Sequence, residues 1–118
     1  MTHKIDLQRK EVVAYEFDTE LSKEDVEEIR DDLRKTLSEN DNVRFFADVS
    51  KLENVKAGAI IEDLKLTPEY TTEIKRFAIV GDENWHKWLS KGADKVTKGE
   101  ARFFSPKDKD EAQDWIRQ

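Results

Sequence analysis

Two aspartates and a serine stand where chemistry is expected. Asp48 and Asp82 each close an apolar run, residues 43–49 and 76–80, that reads as a β-strand. Ligands of open α/β sheets bind beyond the carboxyl ends of the strands, and paired aspartates there can hold magnesium. Ser50 follows Asp48 by two residues. A plainer role competes with that chemistry, because short acidic and hydroxyl residues after a strand routinely cap the next turn or helix. Asp82 is well placed to cap a helix carrying Trp85. An enzyme using Asp48 and Asp82 with a metal has the least support, since the pattern sets no base or nucleophile beside them.

Other chemistries find fewer residues to work with. His3 and His86 are isolated, and neither has a partner at helix-face spacing that would complete a metal motif. Without cysteine there is no disulfide framework, thiolate zinc site or cysteine nucleophile. The four glycines, Gly58, Gly81, Gly92 and Gly99, are too scattered for a phosphate-cradling loop, so no cofactor is expected. Trp85, Trp88 and Trp115 could form an aromatic platform, although at helical spacing beside Leu89 and Ile116 they also read as core.

Of 118 residues, 41% are charged and 36% hydrophobic, with 21 basic against 27 acidic residues and a net charge of −6. Such a chain suits one domain, 1–118. The acidic balance argues against nucleic acid as partner. No run of about 18 apolar residues could form a membrane span. The first ten residues lack the apolar stretch of a signal peptide, so a cytoplasmic protein is expected. Charge is uneven. Residues 18–32 hold eight acids against Lys23 and Arg30, and residues 86–102 hold five bases against Asp94 and Glu100. These stretches read as solvated helix faces or as complementary surfaces for a partner.

The elements that must position these residues follow from periodicity. Residues 12–17 alternate as a strand with Val13, Tyr15 and Phe17 on one face, and residues 3–8 suggest a short edge partner turning at 9–11. Ser22 with Asp25 forms a capping-box variant, with Leu21 and Val26 as hydrophobic staple. Val26, Ile29, Leu33 and Leu37 continue one apolar helical stripe. The strand at 43–49 is apolar on both faces and reads as central. Ala57, Ile60, Ile61 and Leu64 mark a second helix that Pro68 interrupts. Thr67 and Pro68 would restart it, placing Tyr70 and Ile74 one turn apart. After the strand at 76–80, Trp85, Trp88 and Leu89 line a short helix. A strand at 101–104 and a last helix follow, the helix capped by Ser105-Pro106 with Ala112, Trp115 and Ile116 inward. Strands alternating with amphipathic helices imply a mostly parallel sheet with right-handed crossovers.

Several of these segments together resemble the SpoIIAA-like family of STAS/SEC14 type. They are Leu21-Ser22-Lys23-Glu24-Asp25, Arg44-Phe45-Phe46-Ala47-Asp48, the stretch Ala57-Gly58-Ala59-Ile60-Ile61-Glu62-Asp63-Leu64-Lys65, and above all Val80-Gly81-Asp82 with Trp85 and Trp88. Gly99 to Phe104 and Ala112 to Ile116 continue the likeness. The resemblance implies an α/β fold, a mostly parallel mixed sheet of four or five strands with four helices, as in anti-sigma-factor antagonists and lipid-carrying SEC14 domains. The phosphorylated Asp-Ser-Ser-Gly motif of the antagonists would fall near Lys56-Ala57-Gly58-Ala59, where no hydroxyl stands. The resemblance therefore implies a non-enzymatic regulatory module acting through protein contacts, without the serine phospho-switch. The alternative is a carrier of lipid or another small apolar ligand, opened by movement of the Ile60–Leu64 helix between Gly58 and Pro68. The expected surface comprises Asp48, Ser50, Lys56, Ala57, Gly58, Ile61, Asp82 and Trp85. A homodimer is compatible with base rates.

Overall fold

A computed structural model describes residues 2–19, 22–51, 74–82 and 100–118. Strands β1 (Thr2–Ile5), β2 (Val12–Phe17), β3 (Val43–Asp48), β4 (Ile74–Val80) and β5 (Glu100–Phe104) form one sheet in that order. β1 is antiparallel to β2, and the other neighbours are parallel. Helix α1 (Lys23–Glu39) joins β2 to β3, and a single 3-10 turn, Pro106–Asp108, leads into the last helix, α2 (Lys109–Arg117). The five-stranded mixed α/β sheet matches the expectation. The two helices expected between β3 and β4 and between β4 and β5 lie outside the described residues.

Local chemistry accounts for α1. The Ser22 hydroxyl accepts from the Asp25 amide at 3.2 Å, while the Ser22 amide donates to the Asp25 carboxylate at 3.0 Å. Two of the amides left open at a helix start are thereby satisfied. Ile29 and Leu33 then enter the core against Val13, Tyr15, Phe17, Phe45 and Phe77. Phe45 and Phe77 stack across β3 and β4 at 5.2 Å. The Tyr15 hydroxyl donates to Asp32 at 2.7 Å, and Lys4 reaches the same carboxylate at 2.9 Å, tying β1 and β2 to α1. Burial and this bond raise the Tyr15 hydroxyl well above its ordinary pKa.

The opposite face of the sheet carries α2. Ala112, Trp115 and Ile116 are buried there with Leu7, Ala14, Phe46, Ala78, Val80 and Phe104. All six residues of β3 are buried, as a central strand between two helix-covered faces requires.

Three boundaries differ from the periodicity reading. Ile74 does not share a helix turn with Tyr70. It opens β4 and pairs with Val43, so sheet pairing overrides the i, i+4 spacing. The edge strand ends at Ile5, because Gln8 adopts φ 62° and its amide turns back to Asp6 at 2.8 Å. Ser105 makes no side-chain bond to an α2 amide. Its hydroxyl instead donates to Asp108 at 2.9 Å, bridging the 3-10 turn that Pro106 begins.

Candidate functional site

Register fixes what the sheet presents to α2. At the carboxyl-terminal edge the row is Glu16, Asp48, Val80 and Phe104. At the amino-terminal edge it is Val12, Arg44, Arg76 and Glu100. Four residue steps separate Arg44 from Asp48, about 13 Å of strand. The nine residues of α2 span about the same length. The helix therefore reaches from one row to the other.

At the carboxyl-terminal edge the first residue of α2 meets both acids. Lys109 Nζ lies 3.0 Å from Asp48 Oδ2 and 3.2 Å from Glu16 Oε2. Lys51 Nζ takes the other Glu16 oxygen at 2.9 Å. The remaining Asp48 oxygen accepts from the Ser50 hydroxyl at 2.6 Å and the Ser50 amide at 3.1 Å. The result is a continuous chain, Lys51, Glu16, Lys109, Asp48, Ser50, with two cations for two anions. Asp48 is 4% exposed, and its two oxygens are taken up by Lys109 and by Ser50.

Three groups of the network are shifted away from neutral pH. Hydrogen bonds from Lys51 and Lys109 hold the Glu16 carboxyl below its usual range. Burial would lower the Lys109 ammonium, but its bonds to Asp48 and Glu16 outweigh that and hold it above its usual range. The Glu16 bond raises Lys51 likewise. None of these three groups is poised near neutral pH to pass a proton.

The amino-terminal edge meets the other end of α2. Arg76 donates to the Trp115 carbonyl at 2.9 Å, Arg44 to the Ile116 carbonyl at 3.0 Å, and Arg9 to the Arg117 carbonyl. The Ile116 and Arg117 carbonyls are among those a helix end leaves open, and the Trp115 carbonyl also accepts from the Gln118 amide at 3.2 Å. Arg76 and Arg102 also lie over the Trp115 ring, 5.1 and 5.4 Å from its centre. Acids near the helix start and arginines at its end both complement the helix dipole.

Of the residues singled out in the sequence, Asp48 and Ser50 come together in the ion network. Asp82 follows β4, and the Asp48 carboxylate is engaged by Ser50 and Lys109. Lys56, Ala57, Gly58, Ile61 and Trp85 lie outside the described residues. Among the described residues no three metal-ligating side chains converge, and His3 pairs with Asp18 at 3.3 Å. Sequence reasoning missed Glu16, Lys51, Lys109 and the arginines. Glu16 carried a signal, as a charged residue inside an apolar strand two places after Ala14 on the α2 face.

A family profile described as SpoIIAA-like matches residues 12–117. Among solved structures, the chain is similar to an uncharacterised protein of the DUF3478 family, with a SpoIIAA-like fold, from Shewanella loihica PV-4. The two share 28% identity, with a TM-score of 0.68, over 98% of this chain and 92% of that one. A comparison with curated proteins returns no match.

Proposed function

The chain belongs to the SpoIIAA-like family, and on that premise we propose that it is a non-catalytic regulatory module that works by contacting another protein. The observation that supports this reading is the ion network at the carboxyl-terminal edge. Open α/β sheets place ligand chemistry there, yet here Lys109 and Lys51 neutralise Glu16 and Asp48. With Glu16 held ionised and both lysines held protonated, proton transfer at neutral pH has little to draw on. Ser50 and Lys51 are exposed beside this network, and the proposed contact surface comprises Asp48, Ser50, Lys56, Ala57, Gly58, Ile61, Asp82 and Trp85. With no hydroxyl at Lys56 to Ala59, a serine phospho-switch at that place is not part of the proposal. The setting proposed is the cytoplasm.

Chemical cross-linking of the purified protein in cell extract, with Gly58→Arg alongside, tests the reading. One discrete partner, cross-linked through Lys51 or Lys56 and lost in the variant, is the expected result. Equal cross-linking of the folded variant overturns the contact surface. A co-purifying lipid mass in native mass spectrometry, with no protein partner, favours the carrier reading instead.

A further inference from the structure

A cavity of about 270 Å³ opens at the amino-terminal edge of the sheet, opposite the ion network. Its walls include Arg9, Arg44, Lys75, Asn42, Glu11 and Asp41. Three cations therefore meet two acids. The acids do not offset the cations evenly, because Glu11 is already engaged by Arg9 at 2.6 Å.

Two details of the cavity wall point beyond packing. The first is Arg44, only 6% exposed. One end of its guanidinium serves the Ile116 carbonyl, but its buried Nε has no hydrogen-bond partner. A guanidinium has five donors, and leaving one unmatched in the interior is costly. Burial, and the positive charges of Arg76 and Arg9, lower the Arg44 pKa. The cluster would therefore gain from a further negative charge. The second detail is Lys75. Val43 pairs with Ile74 and Arg44 with Arg76, so Lys75 is an extra residue, a bulge in the β3–β4 ladder. Bulges re-aim a side chain out of the strand pattern and are common beside ligand sites. Lys75 is exposed, lies on the cavity wall, and makes no ion pair among the described residues.

We propose that this cavity binds a small phosphate-bearing anion, held by Arg44, Arg9 and Lys75 with Asn42 as a neutral donor. The Arg44 guanidinium, partly committed to the Ile116 carbonyl, supplies positive charge from the wall, while Lys75 supplies an exposed point charge at the rim. The volume lies below the roughly 300–1,000 Å³ typical of drug-sized ligands, so the ligand must be small. The cavity lies at the opposite end of the strands from Asp48 and Ser50, so its test is separate from that of the proposed protein contact.

The test is an amide NMR titration with inorganic phosphate, against sodium chloride at matched ionic strength. Saturable shifts at Asn42, Arg44 and Lys75 are expected with phosphate and not with chloride. Lys75→Glu, and separately Asn42→Asp, each place a negative charge on the wall outside the core and should weaken binding by roughly tenfold. Dispersed amide spectra of both variants establish that they fold. Equal shifts with chloride, shifts that never saturate, or unchanged phosphate affinity in both variants would each overturn the proposal.

Discussion

At the carboxyl-terminal edge of the parallel strands, Glu16 and Asp48 face two lysines, whereas at the amino-terminal edge Arg9, Arg44 and Arg76 face carbonyl oxygens. Both edges hold the same helix, α2, and both complement its dipole. They differ in how completely charge is matched. The first edge sets two full anions against two full cations. The second sets three guanidinium groups against the partial charges of carbonyls and one carboxylate, Glu11 on Arg9, and a buried Arg44 Nε is left without a partner. A dipole end amounts to roughly half an elementary charge, so with Glu11 committed to Arg9 it cannot neutralise the guanidinium groups of Arg44 and Arg76. One edge of the sheet is thus electrostatically closed, while the other retains capacity for an anion.

Trp115 belongs to neither edge alone, and removing it should have the largest effect. It is buried beside Phe104 at 5.9 Å and carries Arg76 and Arg102 on its ring. Trp115→Ala should cost about 3–5 kcal/mol in urea unfolding. A loss under about 1 kcal/mol would show that the edges, not the apolar layer between them, seat α2.

Lys109→Met comes next, at about 2 kcal/mol. It strips Asp48 of the cation paired with it at 3.0 Å but leaves Lys51 on Glu16, and Lys109 is itself partly exposed, so the cost falls short of a fully buried pair. Loss below about 0.5 kcal/mol would mean that the Ser50 bonds alone sustain the Asp48 charge. The pH profile gives an independent reading. Glu16 has a folded pKa below its ordinary 4.5, so its contribution is present above that value and lost as pH falls through the folded pKa. Lys109 has a folded pKa above its ordinary 10.5. Its contribution is complete below 10.5 and lost as pH rises through the folded value. Melting temperature should therefore hold a plateau between these limits and fall at both ends. Lys109→Met should lessen the acid fall and remove the part of the alkaline fall due to Lys109.

What the sequence disclosed about these edges follows the range of each interaction. The Ser22–Asp25 box spans three residues and could be read directly. Alternation placed Tyr15, Phe17 and the apolar stripe of α1 on their faces, because a strand period of two and a helix period of 3.6 are local properties. Asp48 was legible as the end of a strand, but its partner Lys109 was not, since it lies beyond β4 and β5 in the chain. Arg44 and Ile116 are 72 positions apart and meet only after register aligns β3 with β4. Ile74 was misread because a β-branched residue four places after Tyr70 fits both periods until a partner strand selects one. The bulge at Lys75 left no local mark, and with it the cavity stayed hidden.

Arg44→Lys tests the other edge more gently, at about 1 kcal/mol. The lysine keeps the charge but replaces the planar fork with one point donor, so the geometry at the Ile116 carbonyl is lost while the electrostatics remain. A neutral or stabilising result would show that the unpartnered Nε offsets whatever the carbonyl bond contributes.

The smallest effect is expected back at the closed edge. Lys51→Met removes the outermost link of the network, the bond from Lys51 to Glu16. Its side chain is 59% exposed, so solvent and salt already screen it, and holding so long a chain in place has an entropic cost. The change should be barely measurable in urea unfolding and shrink further in high salt. Set beside Lys109→Met, this separates two lysines that touch the same carboxylate. The one anchored in α2 should matter to stability, and the one on the surface should be free to meet a partner. Equal losses from the two substitutions would mean that the network acts as one unit, and that Lys51 is part of the closure rather than of the surface beyond it.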